Sequence, residues 1–348
     1  MKRKFAGLFL TFIAIQACVS APDYSEFGGP GAFNVETESG VWKYPDRKNR
    51  RVPWKLFLPV AAATPSPVII VSPGGGGSRD DPLNYIGEHL ASYGFAVFQL
   101  QHEGSDVDAF FQAPNPNILM QQIRDSEPRN ATLRQQDIQF AVDRIELMST
   151  QEFAGRLNGS RVGLIGFSFG AVTALVSAGM ELPESGHSLA EPRLKAVLAL
   201  SPSARYGIAE PLLTEDAARR AYSNMLVPIF HMRGTEDVTP LTGVTNGIQR
   251  ELPFRVIDSV DQYLLVLNGA EHPTFGGATV KFPHNPALRA PFDYPDLARH
   301  RELIRMAAAV FWRAYLADDQ NALQWLTGGG LASELGQSGS FESKTAQH

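Results

Sequence analysis

One short motif constrains the fold of this chain more than any other feature. Ser168 lies in the sequence Gly-Phe-Ser-Phe-Gly, which follows an apolar run at 162–165 and precedes a helix-forming run. In that context, a Gly-x-Ser-x-Gly motif is typical of a tight turn that lifts a serine hydroxyl above the edge of a sheet. The flanking glycines allow the strand and the helix to approach closely. The motif therefore predicts an α/β fold with Ser168 as a nucleophile.

Strand-like runs and helical patterns alternate along most of the chain, which indicates a parallel α/β sheet. The predicted strands cover 54–59, 68–72, 95–99, 162–165, 196–200, 229–232 and 263–267, and the predicted helices cover 82–93, 133–148, 169–180 and 297–316. Several strands are continuous apolar runs, as expected for strands that helices cover on both faces. We predict a mostly parallel central sheet with helices on both faces, in one domain over 41–326.

A serine nucleophile needs a base that an acid orients, and in such folds the acid precedes the base along the chain. Asp237 follows a predicted strand and a glycine turn, and it is the predicted acid. Its neighbour Glu236 is the competing carboxylate, and a solvent-facing turn aspartate is the structural alternative. His272 follows the last apolar strand directly and is the predicted base, whereas His284 and His300 lie later, in loop or helix-start contexts.

A tetrahedral oxyanion needs backbone donors that are fixed in advance. One predicted donor is the N–H of Phe169, the residue after the nucleophile. The other is expected from the turn after the strand at 68–72, which reads Ser-Pro-Gly-Gly-Gly-Gly. Gly75 is the preferred donor in this turn. Gly74 and Gly76 are the next candidates and belong to the predicted substrate pocket, although such a run can also be a flexible turn.

Aromatic residues near the motif predict an apolar acyl pocket. Phe167 and Phe275 are expected to line it, although aromatic residues at such positions are as typical of a core. His102 follows a strand at the same edge of the sheet and is included in the pocket, with a structural role as the alternative. Two longer excursions, at 110–130 and 203–224, are candidates for a pocket wall or a lid, or else surface loops.

At these residues the chain resembles one branch of the α/β-hydrolase superfamily, which contains dienelactone-hydrolase-like proteins, platelet-activating-factor acetylhydrolases and bacterial cutinase-like polyesterases. The resemblance runs from Arg51-Val-Pro-Trp-Lys-Leu-Phe-Leu-Pro through the Ser72-Pro-Gly turn and His102-Glu-Gly-Ser to the histidine loop. The motif around Ser168 is similar to that of the acetylhydrolases, in which a histidine commonly replaces Phe167. The resemblance implies the α/β-hydrolase fold, hydrolysis of a small-molecule ester through an acyl-enzyme, and no metal or other cofactor.

The expected substrates are short- to medium-chain or apolar esters, and two departures from the family argue against two other substrate classes. Gly75 stands where cutinase-like enzymes have an aromatic oxyanion residue, which argues against an aromatic clamp for polyesters. Ser168 stands where dienelactone hydrolases have a cysteine, which argues against dienelactones. Two other functions stay open: amide or peptide hydrolysis by the same residues, and a non-catalytic surface lipoprotein that keeps the fold as a binding module.

The N-terminus has the layout of an export signal, with basic residues before an apolar stretch at 5–15 that is too short to span a bilayer. The sequence Ile-Gln-Ala-Cys18 resembles the lipobox of bacterial lipoproteins, and lipidation would remove the only thiol of the chain. The alternative is an ordinary signal peptide cut after Ala21. We predict a signal peptide over 1–18, a tether over 19–40, and a cell-envelope lipoprotein held at a membrane, or alternatively a secreted soluble protein.

The net charge of −5 is mild and no basic stripe is present, so nucleic acid is not an expected partner. The segment from 327 to 348 begins with Thr-Gly-Gly-Gly and continues with mostly small polar side chains, which predicts a mobile C-terminal tail.

Overall fold

The computed structural model describes residues 23–111, 116–182, 188–207, 210–278 and 292–346. In these ranges nine strands form one sheet in the order β1-β2-β4-β3-β5-β6-β7-β8-β9. The strands are β1 (Val35–Tyr44), β2 (Arg50–Pro59), β3 (Ser66–Ser72), β4 (Ala96–Leu100), β5 (Leu157–Phe167), β6 (Leu194–Leu200), β7 (Ile229–Glu236), β8 (Gln262–Glu271) and β9 (Gly339–Lys344). Strands β4, β3, β5, β6, β7 and β8 pair in parallel, whereas β1, β2 and β9 pair antiparallel at the edges.

Helices connect these strands and make the fold mixed α/β. They are α1 (Asn84–Ser92), α2 (Val107–Phe111), α3 (Pro116–Thr150), α4 (Phe169–Ser177), α5 (Glu215–Ala221), α6 (Leu252–Val256), α7 (His272–Phe275), α8 (Leu297–Leu316), α9 (Gln320–Thr327) and α10 (Gly330–Leu335). Among the described residues, none of these helices combines the length and the hydrophobicity that a membrane-spanning segment needs.

The central strands bury side chains on both faces of the sheet. In β3, Val68 and Ile70 pack in one core together with residues of α3 and α4, and Ile69 and Val71 pack in a second core with residues of α1 and α8. Successive side chains of a strand point to opposite faces, so helices cover the sheet on both sides. The carboxyl ends of the parallel strands meet at one edge, where loops can bring side chains from several strands together.

Each predicted strand and helix corresponds to an observed element: the strands to β2 through β8, and the helices to α1, α3, α4 and α8. The clearest difference in length is α3, which begins at Pro116 instead of at the predicted residue 133. Most of the excursion at 110–130 is therefore helical. Pro128 and the polar residues around it hide the helical period in the sequence.

The sheet extends beyond the predicted domain limits of 41 and 326 at both ends. Strand β1 occupies the end of the predicted tether, and α10 and β9 lie in the segment that the sequence predicted as a mobile tail. Strand β9 pairs along β8, and Phe341 stacks on Tyr263 with a ring-centroid separation of 6.2 Å. Both added strands lie at edges and carry many polar residues, so they lack the apolar run that marks a central strand. The predicted signal peptide, with Cys18, lies outside the described residues.

Candidate active site

The candidate nucleophile lies in a strained turn at the carboxyl edge of the sheet. Strand β5 ends at Phe167 and α4 begins at Phe169, and Ser168 between them has φ 54° and ψ −112°. A positive φ is unusual for a residue with a side chain and costs about 1–3 kcal/mol. The Ser168 N–H donates to the Leu200 carbonyl at 3.0 Å, which ties the turn to the neighbouring strand β6.

Two glycines permit this turn because backbone atoms lie where their side chains would be. A Cβ atom at Gly166 would lie 2.0 Å from the Gly170 carbonyl oxygen, and one at Gly170 would lie 1.9 Å from the Ser72 carbonyl oxygen. Real Cβ atoms do not approach backbone oxygens this closely, so a larger residue would push α4 away from β3 and β5. The glycines of the motif therefore set the position of Ser168 relative to the end of β3.

The structure brings Ser168, His272 and Asp237 together in one chain of hydrogen bonds. His272 Nε2 lies 3.0 Å from Ser168 Oγ, and His272 Nδ1 lies 2.8 Å from Asp237 Oδ1. Asp237 is fully buried after β7, and the His272 side chain at the start of α7 is 16% exposed. With Nδ1–H donating to the carboxylate, Nε2 is the nitrogen that accepts from the serine hydroxyl.

Local hydrogen bonds hold the histidine and the acid in place. Strand β8 ends at Glu271, whose backbone N–H donates to Thr274 Oγ1 at 3.2 Å and forms a capping box at the start of α7. On the acid side, Ser201 Oγ donates to Asp237 Oδ2 at 2.6 Å. The competing carboxylate, Glu236, is exposed to solvent. The geometry therefore selects Asp237 as the partner of His272.

Arg250 is a site residue that the sequence analysis did not identify. Its side chain is 2% exposed, and its Nε lies 2.6 Å from Asp237 Oδ1 and donates to the Asp237 carbonyl at 2.8 Å. Arg250 Nη1 donates to the Ser201 carbonyl at 2.9 Å, and Nη2 lies 3.1 Å from His272 Nδ1. A guanidinium only donates hydrogen bonds, so the acceptor for His272 Nδ1–H is Asp237.

Burial and the Arg250 charge together set the protonation of the site. Burial raises the pKa of Asp237, but Arg250 and the hydrogen bonds from His272 and Ser201 lower it by more, so it lies below its usual value. The pKa of His272 is lowered by burial first and then by the Arg250 charge, against the opposing effect of Asp237. The imidazole is therefore neutral at neutral pH, which is the form that can accept a proton.

We expect Arg250→Met to move the acidic limb of the kcat/KM pH profile to higher pH. The substitution removes a positive charge 3.1 Å from His272 Nδ1, so the pKa of His272 rises and the imidazole is protonated at a higher pH. A protonated imidazole cannot accept the serine proton. Arg255→Met is the matched control, because that side chain is 47% exposed and pairs with Glu251 and Glu342. A limb at the same pH in both variants would contradict the role of Arg250.

The glycine turn after β3 lies beside the nucleophile. A Cβ atom at Gly74 would lie 3.5 Å from Ser168 Cβ. The Phe169 N–H belongs to the first turn of α4, where backbone N–H groups have no partner within the helix. The Gly75 N–H makes no hydrogen bond to any residue that the structure describes. Gly76 is different, because its N–H donates to the Ser105 carbonyl at 2.9 Å. The Gly76 N–H is thus not available as an oxyanion donor. Gly75 remains the predicted second donor.

Only one of the three side chains predicted for the pocket lies near the opening of the site. Phe167 is half-buried, and its ring centroid lies 5.0 Å from that of His272. Phe275 is completely buried among the residues of the core between the sheet and α8. His102 is 1% exposed and is bonded to Ser72 and Asp137. Phe275 and His102 therefore cannot line a solvent-accessible pocket, and their inclusion in it was wrong.

Of the two later histidines, His300 bonds through Nδ1 to the Tyr294 hydroxyl at 2.8 Å. The other, His284, lies outside the described ranges. In the same ranges, no group of three His, Cys, Asp or Glu side chains is arranged to hold a metal ion.

Comparison with known proteins does not assign the chain to a family. No protein-family model matches the chain, and no curated protein is similar enough to it to count as a match.

Proposed function

We propose that the chain is a serine carboxylic-ester hydrolase of the α/β-hydrolase fold, acting on short- to medium-chain or apolar esters. The observation that carries the proposal is the chain of hydrogen bonds from Ser168 Oγ through His272 to the buried Asp237, at 3.0 Å and 2.8 Å. Three supporting features are the mostly parallel sheet, the positive φ of Ser168 and the closeness of the glycine turn, where a Cβ atom at Gly74 would lie 3.5 Å from Ser168 Cβ. This combination is what acyl transfer through a covalent intermediate requires.

In the first half of the proposed reaction, Ser168 Oγ attacks the ester carbonyl carbon while its proton passes to His272 Nε2. The carbonyl oxygen takes up the electron pair of the broken π bond and becomes an oxyanion, which the N–H groups of Gly75 and Phe169 stabilise. The positive end of α4 adds to that stabilisation. The tetrahedral intermediate then collapses, the C–O bond to the alcohol breaks, and His272 gives its proton to the leaving oxygen.

In the second half, water replaces the alcohol. His272 Nε2 takes a proton from the water, whose oxygen attacks the acyl carbon, and the same amides hold the second oxyanion. Collapse releases the carboxylic acid, and the proton on His272 returns to Ser168 Oγ. Asp237 keeps the imidazole in the required tautomer and stabilises its transient positive charge.

The proposal is tested on the soluble chain that begins after Cys18, with p-nitrophenyl esters of increasing acyl length and a fluorophosphonate probe. We expect turnover that falls off beyond a limiting acyl length, and covalent labelling of Ser168. Matched ester and amide substrates separate an esterase from an amidase or peptidase, which would cleave both at similar rates. A folded chain that neither turns over nor takes the label would favour the binding-module alternative.

We also propose that the protein is exported and held at a bacterial membrane through a lipid on Cys18, as the lipobox-like sequence indicates. In cells fed a radiolabelled fatty acid, the parent protein is expected to carry label and to sediment with membranes. Cys18→Ala should lose the label and most of the membrane association, because stable anchoring depends on the acyl chains. Cys18→Ala that still carries label would exclude this anchor.

A further inference from the structure

A buried arginine on α3 joins the two parts of the backbone that hold the proposed oxyanion donors. Arg134 is 1% exposed. Its Nε donates to Thr173 Oγ1 at 3.0 Å, and its guanidinium lies 4.5 Å from the centre of the Phe169 ring. Both of these partners belong to α4, whose first N–H is the Phe169 donor. Arg134 is therefore attached to the helix that carries one half of the oxyanion site.

The same guanidinium also holds the glycine turn. Arg134 Nη2 donates to the Pro73 carbonyl and, at 3.2 Å, to Ser72 Oγ. Its Nη1 donates to Ser105 Oγ at 2.9 Å, and the Ser105 carbonyl accepts the Gly76 N–H at 2.9 Å. These bonds fix the turn on both sides of Gly75, the second proposed donor.

Ser72 is itself part of a buried network in which a serine, a histidine and an aspartate are bonded in the same order as in the candidate active site. Its hydroxyl lies 3.0 Å from His102 Nε2, and His102 Nδ1 lies 3.0 Å from Asp137 Oδ2. Asp137 in turn forms a bidentate pair with Arg50, with both distances 2.7 Å. No substrate could reach Ser72, which is fully buried. The network therefore holds the end of β3 in place and takes no part as a second nucleophile.

We propose that Arg134 is a positioning residue that sets the distance between the Gly75 and Phe169 amides. The inference rests on the proposed ester hydrolysis. A buried group that bonds to both segments constrains their separation, and no other side chain described above touches both. The separation matters because each amide must lie about 2.7–3.1 Å from the oxyanion and not from the ground-state carbonyl oxygen. A misplacement of about 1 Å can cost roughly 100-fold in rate.

Arg134→Met is expected to lower kcat by about 10- to 100-fold and to weaken the binding of an alkylboronic acid by the same factor. The boronic acid forms a tetrahedral adduct with Ser168 and therefore reports on the oxyanion site. The KM for a p-nitrophenyl ester should stay within about threefold of the parental value, because binding of the intact ester involves no oxyanion. The acidic limb of the pH profile should also stay in place, because it belongs to His272.

Arg193→Met is the matched control. Arg193 also bonds to α3, through Asp143 at 2.7 Å, but it lies at the amino end of β6, far from the carboxyl edge. This variant is expected to lose stability without a change in boronate affinity. Parent-like kcat and boronate affinity in folded Arg134→Met would overturn the proposal, as would losses that only follow the unfolded fraction.

A second variant tests the inference if Arg134→Met does not fold. Ser72→Ala combined with Thr173→Val keeps the guanidinium and removes one bonded hydroxyl from each segment. We expect weaker boronate binding in this double variant, and unchanged binding would reject the role of Arg134. The two proposals fail separately: a parent chain that neither hydrolyses esters nor binds the boronate refutes the esterase, whereas an active parent with unaffected variants refutes only the positioning role.

Discussion

Ser168→Ala is expected to lower the rate of p-nitrophenyl ester hydrolysis by a factor on the order of 10⁶ and to abolish fluorophosphonate labelling. The substitution removes the attacking oxygen, which lies 3.0 Å from His272 Nε2. Water could still be activated by the histidine, and the backbone amides would still bind an oxyanion, so a small residual rate above that of water is expected. Steady-state kinetics and intact-protein mass spectrometry measure the two effects.

Two further serine variants make this result specific. Ser223→Ala is the control, because Ser223 is exposed and its hydroxyl donates only to the Arg220 carbonyl at 2.9 Å. It should keep the parental rate. Ser168→Gly should be as inactive as the alanine variant but more stable than it by about 1 kcal/mol, since glycine adopts the positive φ without strain. Labelling of Ser168→Ala, or hydrolysis by it at close to the parental rate, would place the nucleophile elsewhere.

The central part of the fold could be predicted because its strands are buried on both faces. Runs such as the one in β3 are continuously apolar and lie between helical patterns. This combination is typical of parallel strands that helices cover on both faces. The edge strands could not be predicted in the same way. Strand β9 contains one large apolar side chain, Phe341, among glycine, serine and charged residues. Its place in the sheet follows from pairing with β8, a long-range contact that no local pattern reports.

The residues of the candidate site also divide into those that a local sequence pattern marks and those that reach the site only through long-range contacts. Ser168, Asp237 and His272 could be predicted because each directly follows a parallel strand, and the carboxyl ends of those strands meet at one edge. Arg250 could not, because no sequence motif links the short 3-10 helix Gly247–Glu251 to the site, and the arginine reaches Asp237 only through the folding of the chain. At His102 the sequence allows both a pocket role and a structural role, and the structure supports the structural one, because the side chain is buried and bonded to Ser72 and Asp137.

Asp237→Asn is expected to lower kcat/KM by about 10⁴-fold at neutral pH. An amide at this position can present its NH₂ group to His272 Nδ1, which must then accept a hydrogen bond and leave the ring proton on Nε2. That tautomer cannot take the Ser168 proton. Arg250 Nη2, which lies 3.1 Å from Nδ1, would favour the same unproductive tautomer. Glu236→Gln is the control, because that carboxylate is exposed, and it should leave the rate unchanged.

The same substitution should also lower the free energy of unfolding, by about 3–5 kcal/mol, because it leaves the buried Arg250 without its carboxylate. Adding Arg250→Met removes the unpaired charge, so the double variant should recover much of that stability in a denaturant titration. Its rate should stay low, since the amide still dictates the wrong tautomer. Recovery of both stability and rate would mean that Asp237 serves only to neutralise Arg250. Recovery of stability alone would separate its two effects, ion pairing with the arginine and orientation of the histidine.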